Sequence, residues 1–163
     1  MSGLVGQVGA RSGIVGSTTD STQLDHEEGE YQVTSLSTGG GTVPISGGYD
    51  MLSYVRIGSM VHVGGELIVS GTLSSGGDGA LRIPLPFAVK NKTDSAESFN
   101  GSLALFYVNI DGGTNGLTTR VVGGSTYATM LCTRDQNSYV SITGGNIASN
   151  SRLTFSIHYI TSA

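Results

Sequence analysis

From Tyr54 to Val69 the chain counts by twos, and that count constrains its fold more than any other feature. Val55, Ile57, Val61, Val63, Leu67 and Val69 occupy odd positions, while Arg56, His62, Glu66 and Ser70 occupy even ones. This is the period that a β-strand imposes on successive side chains. Gly58 and Ser59 supply a turn, so the stretch reads as a hairpin of residues 51–57 and 60–71 whose odd positions form one apolar face. A hairpin alone is marginal in water, so other strands must cover that face.

The chain after residue 31 supplies those strands. Short runs at 31–36, 80–83, 117–122, 126–133, 138–142 and 152–161 are separated by Gly, Asn and Ser clusters at the spacing of an all-β fold. Pro84 and Pro86 lack amide donors and confine their segment to an edge or a crossing loop. Phe87 to Val89 is expected to plug the core, and residues 91–100 are expected to be polar and exposed. Residues 103–110 are apolar at both parities, which predicts a central strand or one with its outer face against another subunit. On that reading Leu103, Leu105, Phe106, Tyr107, Val108 and Ile110 form a subunit interface. No helix template fits anywhere. The predicted fold is an all-β antiparallel sandwich of about eight strands, jelly-roll-like, over residues 31–163.

Residues 1–30 read differently. Gly3-Leu4-Val5-Gly6 recurs as Gly13-Ile14-Val15-Gly16, a short repeat of apolar pairs between glycines. Dense glycine disfavours helix and weakens strand, so this stretch predicts either a disordered leader or, on the reading taken forward, an extended arm that orders on a partner. Leu4, Val5, Ile14 and Val15 are its anchors, and Arg11 its one cation. Asp25 to Glu30 then forms an acidic hinge. The net charge of −4 sits in this leader: five acids face Arg11 up to Glu30, and the seven acids and seven bases that follow cancel. With no concentration of Lys and Arg, nucleic-acid binding is not expected.

Chemistry is sparse. His26, His62 and His158 are scattered, and His62 and His158 lie on polar strand faces, where two such residues can meet but fall short of the three or four ligands zinc prefers. No serine sits in a Gly-x-Ser-x-Gly elbow, and no carboxylate pair stands outside the hinge. Asp111 to Gly116 lacks the alternating carboxylates of a calcium loop. The expectation is no catalytic residue, no metal and no cofactor. Cys132 is the only cysteine, so no intrachain disulfide forms and a buried thiol is expected. No apolar run approaches about 18 residues, and the N-terminus lacks a signal peptide's basic start and apolar centre, so the chain is expected to be soluble, unprocessed and away from membranes.

The segments Ser53 to Leu67, Leu85-Pro86-Phe87 and Leu153 to Thr161 together resemble the small β-sandwich knobs of tailed-bacteriophage virion proteins. The leader, Gly3-Leu4-Val5-Gly6 with Gly9 to Ser17 behind it, is similar to N-terminal segments of phage fibre and capsid-associated proteins. The resemblance implies attachment rather than catalysis, a homotrimer, and a place on the virion after synthesis in the host cytoplasm. The short passage from arm to knob, with no shaft between, points to a capsid decoration, cement or short head-fibre protein bound to the major capsid protein or another virion structural protein. A tail fibre or adhesin knob recognising host glycans is the alternative.

Overall fold

The computed structural model describes residues 26–74, 79–91, 93–94, 98–110, 114–134 and 139–162. They form eleven strands: β1 (His26–Gln32), β2 (Ser35–Ser37), β3 (Thr42–Pro44), β4 (Met51–Ile57), β5 (Met60–Ile68), β6 (Arg82–Pro84), β7 (Phe99–Val108), β8 (Thr114–Val121), β9 (Tyr127–Arg134), β10 (Val140–Ser141) and β11 (Ile147–Ile160). Every pairing is antiparallel. One hydrogen-bonded path runs β1-β4-β5-β11-β7-β8-β9-β6-β2-β3, with β10 beside β9. The far end of that path curls back to meet the end of β5, the third strand in it. Ile45, just past β3, bridges Val69, just past β5, and Ser46 N–H donates to the Ile68 carbonyl (2.8 Å) while Ser70 N–H donates to that of Pro44 (3.0 Å). The two layers of the predicted sandwich are therefore halves of one sheet curled about one core. Among the described residues the only helical element is a 3₁₀ turn at Gly144–Asn146, and no helix is long and apolar enough to cross a membrane.

The hairpin forms with the predicted turn and first strand, its second strand ending at Ile68 short of the expected residue 71, but the first strand faces the other way. Val61, Val63 and Leu67 are buried as expected, whereas Ile57 is exposed and Leu52 is completely buried. Register supplies the reason. With a two-residue turn, Tyr54 lies opposite Val63 and Arg56 opposite Val61, so the inward odd positions of β5 face even positions of β4. Val55 instead pairs with His62 on the outer face. Gly58 makes the tight turn possible with φ +58°, a left-handed conformation that costs glycine no Cβ clash.

The even side chains of β4 build an aromatic cluster. Tyr54 stacks edge-on against Phe87 at 5.2 Å, and the Arg56 guanidinium lies 5.3 Å from the Phe87 ring centre. Tyr159, on β11, donates to the Phe87 carbonyl (3.1 Å) and accepts from the Phe87 N–H (3.3 Å). Tyr31 donates to the Pro84 carbonyl (2.9 Å). The predicted plug at 87–89 is thus held by the Tyr159 hydroxyl and by Thr161 Oγ1, which donates to the Ala88 carbonyl (2.8 Å), with Val89 buried and Phe87 packed against the core. Elsewhere the sheet demands close backbone approach. A Cβ on Gly101 would meet the Ser156 carbonyl, Thr119 Oγ1 at 2.6 Å and Ile157 Cβ at 2.8 Å, so only glycine fits between β8 and β11 there.

Several boundaries differ from the sequence reading, and the strand expected at 31–36 is divided between β1 and β2. Residues 26–30, expected as an acidic hinge, belong to β1: the ladder to β4 starts at His26 opposite Ile57, and Glu27 accepts from the Tyr54 hydroxyl (2.7 Å) with Arg56 3.6 Å away. The acids are strand residues whose outward members are solvated. Phe99 and Asn100, expected in an exposed loop, open β7. The last strand begins five residues before the expected Arg152 and carries a bulge, where its pairing with β7 jumps from Ile147↔Val108 to Arg152↔Phe106. The arm anchors Leu4, Val5, Arg11, Ile14 and Val15 lie outside the described residues.

Candidate functional site

The bulge in β11 is where the backbone departs most from regular pleating. Residues 148–151 have no partner on β7, so β7 and β11 can stay in register on either side only if both backbones bend. Tyr107 adopts φ +56° and Asn150 φ +70°, and among the described residues these are the two non-glycine residues with positive φ. Asparagine tolerates that region; a bulky tyrosine does so at a cost of order 1–3 kcal/mol. The surroundings enforce it. Ser151, fully buried, donates to the Tyr107 carbonyl (2.7 Å) and accepts from the Ala148 N–H (3.0 Å). Asn150 N–H donates to the Val69 carbonyl (2.8 Å), and Val69 N–H to that of Ser151 (2.9 Å), which clamps the bulge to the end of β5.

The result is an aromatic ring held in solvent. Tyr107 is 80% exposed and Tyr49, on the turn before β4, is 51% exposed. Together with Ser46, Ile68, Ser149, Asn150 and Arg152 they line an open depression of about 610 Å³. Arg152 lies 3.7 Å from Glu66, which also accepts from Thr154 Oγ1 (3.1 Å), so its guanidinium is steadied on the rim. Two aromatic faces, hydroxyls, an amide and one guanidinium suit stacking and hydrogen bonding to a flat, hydroxyl-rich ligand. The lining residues include no carboxylate, histidine or cysteine.

The strand predicted as a subunit interface is divided by this geometry. Leu103 is buried and Leu105, Val108 and Ile110 pack against the core, while Phe106, at 53%, and Tyr107 are exposed. Alternation on β7 ends at Phe106, because the positive φ at Tyr107 turns its side chain outward next to an already outward neighbour. Sequence reasoning passed over Tyr49, Asn150 and Arg152. The signal available was Ser149-Asn150-Ser151, a polar interruption of an otherwise alternating strand, with asparagine at the residue that takes the left-handed conformation.

The two histidines on the polar faces do meet. His62 and His158 are directly opposite in the β5–β11 ladder, with ring centres 4.5 Å apart and His62 Nδ1 3.1 Å from His158 Nε2. Partial burial, and then the neighbouring His158, hold the His62 pKa below its usual value.

No protein-family model matches the sequence, and no curated protein is significantly similar to it. Among solved structures the chain is similar to the crystal structure of the Dettilon tailspike protein, with a TM-score of 0.62 and 14% sequence identity. The likeness covers 82% of this chain and 24% of that one, so the chain spans about a quarter of the tailspike's length. At this identity the likeness is one of fold.

Proposed function

We propose that this chain is a non-enzymatic surface protein of a tailed-phage virion, attached at one end of its sheet and recognising a saccharide at the other. The carrying observation is that polarity. His26 pairs with Ile57, Ile160 pairs with Met60 and Thr161 N–H donates to the Ser59 carbonyl (2.8 Å), so both ends of the described chain flank the Gly58-Ser59 turn. Tyr49, Tyr107 and Arg152 lie at the opposite end, about 26 Å away along the nine residues of β5 at roughly 3.3 Å per residue. A module built to display a surface has this layout. The fold shared with part of a tailspike and the resemblance of its strand phrases to phage knobs support the virion setting.

Two tests address the two ends. Titrating the protein with surface polysaccharide from susceptible bacteria should show saturable binding that is lost in Tyr107→Ala and weakened in Tyr49→Ala; unchanged binding in both variants would remove the depression from the proposal. Gold labelling of intact particles decides position: a few copies at the tail fit recognition, whereas many over the head fit capsid decoration. The decoration reading is favoured by the leader, where Leu4-Val5 and Ile14-Val15 would fill apolar grooves on a capsid protein and Arg11 would pair with a carboxylate there. Under it, deleting residues 1–23 leaves a folded protein that no longer joins particles. Homotrimerisation is part of the proposal, with the outward Phe106 on β7 and the exposed Ile57 and Met60 as apolar surface for neighbouring copies. Sedimentation at micromolar concentration should give three times 16.7 kDa.

A further inference from the structure

We propose that His62 and His158 form a two-ligand site for a borderline divalent transition cation, copper(II), nickel(II) or zinc(II). Imidazole nitrogens bind such ions at about 2.0–2.1 Å, so two of them on one ion stand roughly 2.9–3.4 Å apart for angles from square to tetrahedral. The observed separation of His62 Nδ1 and His158 Nε2 is 3.1 Å. The spacing is thus already that of a chelate, and rotation of the two rings out of their hydrogen bond brings both lone pairs onto one point.

The backbone holds that spacing in place. β5 and β11 are interior strands, flanked by β4 on one side and β7 on the other, and the two histidines sit in unbroken register between Ile157↔Val63 and Tyr159↔Val61. Little ordering is therefore left for the ion to impose. Both side chains lie on the outer face, His158 exposed and His62 half-buried, so water can complete the coordination sphere. Gly64, next but one to His62, leaves room at the ring's other edge: even a Cβ there would stand 3.7 Å from His62 Nε2. In the free pair one ring donates its N–H to the other. The cation takes the place of that shared hydrogen, and the donor ring takes up a proton at its opposite nitrogen. Both rings stay neutral, and two dative N–metal bonds form. Among the described residues no cluster of three or more His, Cys, Asp or Glu stands ready to hold a metal, so the site is open and exchangeable rather than a closed structural centre. Magnesium and calcium, which take oxygen ligands, are excluded from it.

The test is calorimetric titration of the full chain with Cu²⁺, Ni²⁺ and Zn²⁺, paired with thermal melts. One ion per chain is expected, tightest for Cu²⁺, with a higher Tm in its presence and no response to Mg²⁺. His62→Ala and His158→Ala should each weaken binding at least about tenfold, since even second-shell partners contribute that much. His26→Ala, on β1, should bind like the parent. A readout on the unaltered protein guards against misfolded variants: substoichiometric Cu²⁺ should broaden the imidazole resonances of two of the three histidines and spare His26. Wild-type affinity in both pair variants, equal broadening of all three rings, or no saturable binding by any of the three cations up to about millimolar each overturns the proposal.

Discussion

At the scale of single residues, the fold spends stability to hold Tyr107 in the solvent. Its positive φ is enforced by Ser151 and by the clamp from the bulge to Val69, and its ring gains little burial in return. Asparagine accepts the same backbone region readily. Tyr107→Asn is therefore expected to stabilise the protein by about 1 kcal/mol while abolishing saccharide binding, the pairing of effects typical of a strained functional position. Urea unfolding and polysaccharide titration of the same variant check both halves; a loss of stability would mean the ring packs in a way its exposure does not suggest. Little of this was legible beforehand. Sequence reveals that Tyr107 is apolar at a second parity, but φ depends on residues 148–151, which lack partners on β7 and belong to a strand far along the chain.

The elements were far more legible than their facing. Alternation located the strand at 51–57 and the start of its partner at Met60, which ends at Ile68 and not at the expected residue 71, because burial of one face imposes period two whatever lies opposite. It misassigned the inward face of β4, since a two-residue turn joins odd positions to even ones and an apolar Val55 or Ile57 on the outer face looks no different in sequence from one inside. The inversion has a measurable consequence. Leu52→Ala should cost about 2–5 kcal/mol by opening a cavity, and Ile57→Ala less than about 1 kcal/mol, because Ile57 is 47% exposed. Chemical denaturation of the two variants distinguishes them; equal costs would favour the odd-face reading. The hinge at 26–30 was misread for a related reason: a run of acids looks like solvated loop, yet alternate ones only need to point outward from an edge strand, and Gly29 between them lies under the Tyr54 ring, 2.8 Å from its hydroxyl at the Cβ position.

For the whole molecule, the all-β antiparallel class followed from glycine punctuation and strand alternation, whereas closure of the sheet through Ile45 and Val69 joins segments that no local pattern links. The curled core also fixes how stability responds to pH. Burial raises the Tyr159 pKa from 10.0 to about 12, partly offset by the Phe87 hydrogen bond, and burial with the nearby Tyr159 raises that of Tyr31 as well. A raised pKa means stability that is present below pH 10 and lost as pH climbs toward 12, because the unfolded chain ionises first. Tyr159→Phe should cost about 1–3 kcal/mol at neutral pH through the unpaired Phe87 N–H, yet flatten the alkaline decline, as melts between pH 8 and 12 will show. His62 works in the opposite range: its lowered pKa makes stability present above about pH 6.5 fall as acid protonates the unfolded chain first. One further consequence lies in the placement of the ends. Under the proposed function, with His26 beside Ile57 and the Tyr107 depression at the far end of the same strands, a tug between the virion and a bound cell would run along the strand axes. Ladder hydrogen bonds lie across that direction, so the seven pairs joining β1 to β4 share the load in shear and must yield together rather than unzip one by one.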